Sequence, residues 1–390
     1  MTLRLLAAVA CMDGAVWSLR LARADALFRE DTAQSVRTAI RMVPDDSQYY
    51  MRLAQLDGGR AEEFLEKALT LNRYNAQAAE ELGLDREADG DYPGAEKLML
   101  QAFEVDRTYG TRWTLANFYF RRGDMPEFWK WARRAAAMPA DDLAALFQLC
   151  WHAEGDASAI AGHLLTDQPQ TIREYMVFLL SRGDASAAVS VAPRLLARGN
   201  PEDDRPLLLT AINRAVESGD GAPALSLWRA LGRQRWVVSD GTLPNNAVFA
   251  RDPTPVAFDW NIAAYDGLHS WPGASGLEVE FTGNEPENCA IAEQIVPLAP
   301  GDYEFRYSYR TRDIAPETGL HWEIQGPTPS VPTVSPDLSS ETLKTASFRF
   351  TASGAALSLA RLRLAYRRAL GTPRISGMLV LVTTSIQPHR

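Results

Sequence analysis

The chain has little of the chemistry that usually marks an enzyme or a metal protein. Its 390 residues include only 3 cysteines and 5 histidines. Cys11, Cys150 and Cys289 lie far apart, which excludes a CxxC metal clamp and argues against a disulfide framework. The histidines show no HxxxH or HExxH spacing, so we expect no metal site and no cofactor.

Catalytic signatures are missing too. The sequence contains no GxSxG nucleophile elbow, no Walker phosphate loop and no dinucleotide fingerprint after a strand. Carboxylates are numerous, but no pair is marked as general acid and base. We therefore expect a protein that is not an enzyme; a polysaccharide-active enzyme with its site in the C-terminal half is a rival hypothesis.

Lysine is scarce among the 40 basic residues, of which only Lys67, Lys97, Lys130 and Lys344 are lysines. We interpret this bias as the mark of a genome rich in G and C. The net charge of −9 leaves neither half of the chain with the basic face that nucleic-acid phosphates require. The sequence therefore predicts no nucleic-acid partner.

The N-terminus combines a short basic start with an apolar stretch from Leu5 to Leu19, which Asp13 interrupts. A charge near the centre of a spanning helix costs roughly 2.5–3.5 kcal/mol. A single helix over residues 5–28 would nevertheless be long enough to cross a bilayer. We predict a membrane anchor or signal in residues 1–28. A soluble first helix and lipidation of Cys11 are the alternatives.

A Gly-Asp pair recurs five times in the first part of the chain, with glycines at Gly90, Gly123, Gly155, Gly183 and Gly219. Each pair lies between two segments whose apolar residues repeat with a helical period. Glycine suits the left-handed end of a helix, and aspartate suits the N-cap of the next. Each pair therefore predicts the turn of an α-helical hairpin.

Two of these units resemble the tetratricopeptide repeat. The matching residues are Gly83, Gly90, Ala95, Met99 and Ala102 in one unit, and Tyr119, Gly123, Ala132, Ala135 and Pro139 in the next. The resemblance covers roughly residues 44–140, and less regular hairpins continue to residue 235. It implies an α-solenoid over residues 29–235 whose concave groove binds a protein partner.

Superimposing the two units at their glycines predicts which first-helix residues face the groove. They are Gln77, Glu80, Leu84, Glu87, Trp113, Asn117, Phe120 and Arg121. Their aromatic, amide and ionic groups suit a peptide. The alternative interpretation is that Trp113 and Phe120 pack between neighbouring helices.

After Trp236 the apolar period changes from helix to strand. A proline-punctuated linker is predicted over residues 236–258, followed by an antiparallel β-sandwich over residues 259–388. Alternating segments predict strands at 277–281, 303–309, 320–324, 346–350, 357–364 and 378–386. The expected fold class is thus an α-helical solenoid followed by a separate all-β domain.

The sandwich is similar to galactose-binding-like jelly rolls, as used by many carbohydrate-binding modules. The similarity lies in the order of Gly276-Leu-Glu-Val-Glu-Phe, residues 293–305 and Ile375-Ser-Gly-Met-Leu-Val-Leu-Val. It implies polysaccharide as a ligand. The carbohydrate-binding candidates lie in the aromatic stretch 258–271 and are Trp260, Asn261, Tyr265, Asp266, His269 and Trp271. The structural alternative places Trp260 in the core and Trp271 as a lid.

These features together resemble accessory proteins of bacterial envelope and exopolysaccharide systems. The resemblance implies a location in the bacterial cell envelope, membrane-anchored or periplasmic. We expect a membrane-tethered scaffold that binds a protein partner in its groove and polysaccharide through its sandwich. A cytoplasmic adaptor that binds only proteins is the main rival.

Overall fold

The computed structural model describes residues 2–138, 142–166, 168–326, 331–353 and 357–389, and it gives side chains from residue 11 onward. Its contacts divide the chain into two compact units, Met1–Thr166 and Asp167–Arg390. Within the described residues, 14 α-helices precede 10 β-strands. The predicted fold class, an α-helical region followed by an all-β domain, is therefore confirmed.

Ten helices form the first unit. They are α1 (Thr2–Arg29), α2 (Ala33–Met42), α3 (Ser47–Leu56), α4 (Ala61–Leu71), α5 (Ala76–Ala88), α6 (Tyr92–Val105), α7 (Tyr109–Arg122), α8 (Met125–Ala136), α9 (Ala144–Glu154) and α10 (Ala157–Leu164). Successive helices pack as hairpins, and a short 3-10 helix, Gly58–Arg60, joins α3 to α4. Pro139 of the repeat pattern lies outside the described residues.

The second unit begins with four more helices, α11 (Pro169–Ser181), α12 (Ala185–Arg198), α13 (Pro201–Glu217) and α14 (Gly221–Arg233). These helices belong to the same compact unit as the sandwich. The amide of Ala257 donates to Asn213 Oδ1 of α13 at 2.8 Å, and the ring of Trp228 in α14 lies 6.4 Å from that of Phe258. The hairpin of α13 and α14 therefore packs against the segment that leads into the sandwich.

All five Gly-Asp pairs lie between the two helices of a hairpin, as predicted. Each glycine has a positive φ, between 70° and 91°, which a residue with a Cβ adopts only at a cost. Four of the five aspartates accept a backbone N–H at the start of the next helix, at 2.6–3.3 Å. Asp220 makes no such hydrogen bond. The Gly-Asp pair therefore ends one helix and starts the next.

Small residues set the distance between paired helices. Ala95 and Ala102 of α6 are buried, and Gly83 of α5 faces them. A Cβ on Gly83 would lie 3.0 Å from the Cγ of Met99 and 3.3 Å from the Ala95 carbonyl oxygen. Helix α5 therefore approaches α6 more closely than a larger side chain permits.

The sandwich consists of two five-stranded antiparallel sheets. The first has the order β1 (Asn261–Ile262), β4 (Asn288–Leu298), β9 (Ser358–Arg367), β6 (Leu320–Gln325), β7 (Thr333–Val334). The second has the order β2 (Leu268–Gly273), β3 (Gly276–Thr282), β10 (Ser376–Pro388), β5 (Gly301–Arg312), β8 (Lys344–Ala352). All six predicted strands are present, and their ends differ from the predicted ones by at most three residues.

The sandwich core is rich in aromatic side chains, including Trp260, Phe281, Phe305, Tyr307 and Trp322. The ring of Phe305 meets that of Trp322 edge-on at 5.1 Å. Large flat side chains fill the space between two sheets about 10 Å apart with few residues.

Two parts of the second unit differ from the sequence interpretation. The aromatic stretch 258–271, for which no strand was predicted, contains β1 and most of β2. Residues 236–258 carry no regular element, yet Trp236, Phe249 and Phe258 among them are buried. Asn245 and Gln294 exchange two hydrogen bonds, at 2.7 and 3.0 Å, which fasten this segment to β4.

The contrast between capped and uncapped turns in the second unit gives a test. Asp184 accepts the amide of Ala187 at 2.9 Å, whereas Asp220 has no side-chain cap hydrogen bond. We expect Asp184→Ala to lower the free energy of unfolding by about 1 kcal/mol, and Asp220→Ala by less than about half of that. Urea denaturation followed by circular dichroism measures both. Equal losses would contradict the capping role.

Candidate functional site

The predicted groove residues lie on two first helices of neighbouring hairpins. Gln77, Glu80, Leu84 and Glu87 belong to α5, and Trp113, Asn117, Phe120 and Arg121 belong to α7. Spacings of three, four and seven residues place each set along one side of its helix. The eight residues therefore form two neighbouring stripes, which we refer to as the α5–α7 face.

Polar side chains link the two stripes directly. The guanidinium group of Arg121 binds both carboxylate oxygens of Glu87, at 2.7 and 2.6 Å. The hydroxyl of Thr114 donates to the carboxylate of Glu80. The hydrogen bond to Glu87 raises the pKa of Arg121 above its ordinary value. Three of the predicted residues therefore join α5 to α7, instead of leaving their charges free for a ligand.

The aromatic members of the α5–α7 face are half-buried. Trp113 stacks on Tyr109 of the same helix, with ring centroids 6.3 Å apart. Phe120 packs 5.5 Å from Phe128 of α8. Between them, the Asn117 amide donates to the Trp113 carbonyl oxygen at 3.0 Å. Both rings thus combine a packing contact with an accessible portion, while Leu84 beside them is exposed.

Sequence reasoning missed Thr114 and Tyr109. Thr114 stands 34 residues after Glu80, and Arg121 stands 34 residues after Glu87. This equal offset is visible once the two units are aligned, so it was the available signal for both contacts. Nothing in the spacing marks Tyr109, whose ring is brought against Trp113 one helical turn away.

The two tryptophans of the stretch 258–271 have different environments. Trp260 is 1% exposed, lies between Phe249 and Trp322, and donates its indole N–H to the Asn246 carbonyl oxygen at 3.2 Å. Its ring faces are covered, so Trp260 cannot stack on a sugar. Trp271 is 37% exposed and lies on β2.

The other carbohydrate-binding candidates do not share one surface. Asn261 lies on β1 in the first sheet, opposite Glu293. Tyr265 and Asp266 are exposed in the turn before β2. His269 and Trp271 are two residues apart on β2, so both point to the outer face of the second sheet. Only His269 and Trp271 therefore combine on a single face.

That outer face contains side chains from three further strands. One row of opposite residues runs across the sheet from Trp271 of β2 through Glu278 of β3 and Val380 of β10 to Arg310 of β5. The parallel row joins His269, Glu280, Met378 and Arg312. Arg310, Arg312, Met378 and Val380, with Thr311 and Glu341, line an open cavity of about 420 Å³. Sequence reasoning missed this cavity because its residues come from distant strands.

The outer face of the first sheet contains an ion-pair network. Arg363 binds Glu293 at 2.6 Å and Glu323 at 3.1 Å, and Arg367 binds Glu323 at 2.9 Å. The nearby His321 imidazole, together with Arg367 and Arg363, holds the pKa of Glu323 below its ordinary value despite its burial. A carboxylate held in its ionised form suits a structural ion pair better than a general acid.

In the described ranges, no group of three or more His, Cys, Asp and Glu side chains is arranged to hold a metal ion. Across the same residues, no helix combines the length and apolar character needed to span a bilayer. Helix α1 is continuous from Thr2 to Arg29 but carries Asp13, Arg20 and Arg23 along that length.

No protein-family model matches the chain, and no curated protein matches it in sequence. Solved structures resemble its two parts separately. YrrB, described as a TPR protein with an unusual peptide-binding site, is 16% identical, with a TM-score of 0.26 over 52% of this chain and 94% of its own. PilW, described as a type IV pilus biogenesis factor, is 14% identical, with a TM-score of 0.27 over 56% and 94%.

A structure described as "CBM4 structure and function" is 12% identical, with a TM-score of 0.29 over 37% of this chain and 99% of its own. All three TM-scores are below 0.5, so no function is carried over from these proteins. What the chain's own geometry shows is a tetratricopeptide-like array of helical hairpins and an antiparallel β-sandwich.

The different burial of Trp260 and Trp271 predicts different effects of truncation. Trp260→Ala removes a core side chain and should lower the free energy of unfolding by about 3–5 kcal/mol. Trp271→Ala should lower it by less than about 1 kcal/mol, because this side chain is partly exposed. Thermal and urea unfolding of the full chain measure both variants. A mild effect of Trp260→Ala would show that the indole is not a core residue.

Proposed function

We propose that this protein is a non-catalytic scaffold whose helical array binds an extended segment of a protein partner on the α5–α7 face. The observation that carries the proposal is the arrangement of Trp113, Asn117 and Phe120 along one stripe of α7, beside the exposed Leu84 of α5. Accessible aromatic side chains with an amide between them suit a peptide, whose backbone needs hydrogen bonds and whose apolar side chains need contacts.

The α5–α7 face is also rigid. The Arg121–Glu87 ion pair and the Thr114–Glu80 hydrogen bond fix α5 against α7, and the Trp113 ring rests on Tyr109. A surface already ordered in the free protein loses little conformational entropy on binding. This order supports a binding role for Trp113 and Phe120, although both side chains also pack within the helical array.

A photo-crosslinking amino acid at position 84 tests the partner and the surface together. In host cells we expect position 84 to capture a distinct protein that position 97, on an exposed site of α6, does not capture. With that partner purified, Trp113→Ala should raise the dissociation constant roughly 30-fold, the loss of about 2 kcal/mol that is typical of an aromatic hot spot.

Trp129→Ala is the matched control, because Trp129 stacks on His163, 4.5 Å away, and lies outside the α5–α7 face. We expect its affinity for the partner to equal that of the unchanged protein. Equal crosslinking at positions 84 and 97, or equal losses for the two tryptophan variants, would contradict this binding surface.

A second proposed function is polysaccharide binding on the outer face of the second sheet. Trp271 is partly exposed there, and His269, Arg310 and Arg312 share the face. Aromatic rings cover the apolar face of a sugar ring, and the arginines offer donors to hydroxyl or carboxylate groups. Of the carbohydrate-binding candidates, this proposal uses His269 and Trp271. Trp260 is buried, and Asn261 lies in the other sheet.

Affinity electrophoresis of the full chain in gels containing host surface polysaccharide tests the second function. We expect retardation that Trp271→Ala reduces at least fivefold. Leu370→Ala, a change at a fully exposed apolar residue in the segment between β9 and β10, should leave the retardation unchanged. Unretarded migration of the folded protein would contradict polysaccharide binding, and protein binding alone would stay as the proposed function. An envelope location and a membrane tether through residues 5–28 stay predictions that cell fractionation tests.

A further inference from the structure

Residues 11–23 of α1 have an unusual surface. Every described residue from position 11 to position 23 is exposed, whereas Ala24 is fully buried and Phe28 packs against Tyr49 at 5.0 Å. Among the described side chains of α1, those from Ala24 onward therefore join the helix to the hairpin array. About 20 Å of helix, at 1.5 Å per residue, extends beyond this packing contact.

The exposed part of α1 carries an apolar stripe. Met12, Val16 and Leu19 are 66%, 65% and 73% exposed, and their spacing of four and three residues places them on one side of the helix. In the sequence the same spacing extends back to Val9 and Leu5. A repeat of four and three is the pattern by which helices pair in coiled coils. The stripe is thus suited to a second helix.

The charges beside the stripe indicate that this second helix is another copy of α1. Asp13 and Arg20 are seven residues apart, so they flank the stripe on the same side. Neither has an ion-pair partner among the described residues, and Arg20 contacts only the ring of Trp17, at 5.1 Å. In an antiparallel pair of α1 helices centred near Val16, Asp13 of each copy lies opposite Arg20 of the other. In a parallel pair, Asp13 would stand level with Asp13.

We propose that residues 11–23 of α1 form an antiparallel helix pair with the same segment of a second copy of this chain. The pair buries the Met12, Val16 and Leu19 stripe and makes two symmetric Asp13–Arg20 contacts. A bilayer suits the segment less well, because Asp13 and Arg20 would both enter the hydrocarbon and each costs roughly 2.5–3.5 kcal/mol there. The proposal goes beyond the partner-binding function and does not depend on it; it is an alternative to a membrane tether through residues 5–28.

Sedimentation equilibrium of the full chain over a wide concentration range tests the proposal. We expect a monomer–dimer equilibrium. Asp13→Arg and Arg20→Asp should each raise the dimer dissociation constant about tenfold, because each replaces two attractive contacts with two repulsive ones. The double variant Asp13→Arg/Arg20→Asp restores both contacts and should return the constant to within about threefold of the original.

The double variant is the matched control, since it has the composition and net charge of the unchanged protein. Val16→Glu should abolish dimerisation, and circular dichroism verifies that each variant keeps its helix. A protein that is monomeric at every concentration up to its solubility limit overturns the proposal. A dimer that the double variant does not restore also overturns it, as does binding of the monomer through this helix to vesicles of anionic phospholipid.

Discussion

Close approach of helix backbones is the constraint on which the helical part of this protein depends. Ala95 and Ala102 of α6, and Ala132 and Ala135 of α8, are all buried where paired helices meet. A methyl group is the largest side chain that such contacts accept, and Gly83 leaves no room even for that without movement of Met99. Because interiors pack as densely as crystals, a short inter-helix distance fixes the neighbouring large side chains as well.

The α5–α7 face is a consequence of this spacing. When hairpins stack at a constant distance, the same kind of contact recurs along neighbouring first helices, and Glu87 reaches Arg121 just as Glu80 reaches Thr114. These contacts are partly exposed, so each adds little to stability. Their effect is geometric, because they hold two first helices at a fixed separation.

The sequence predicted what depends on local chemistry. Gly90 and Asp91 specify a left-handed helix end and an N-cap without reference to the rest of the chain, and all five such turns were placed correctly. Alternation over residues 303–309 predicted β5 for the same reason. Strand β2 was missed because, at a sheet edge, its exposed His269 and Trp271 resemble a loop. The environment of Trp260 depends on Phe249 and Trp322, which no local pattern connects to it.

The four edges of the sandwich limit how copies of this protein can contact one another. Strands β1 and β7 are only two residues long, β2 contains Pro272, which has no N–H to donate, and β8 carries Lys344 and Arg349. Short, proline-interrupted and charged edges all resist pairing with a strand from another molecule. Many copies can therefore crowd together without their sheets fusing, so that contacts between copies are left to surfaces formed by side chains.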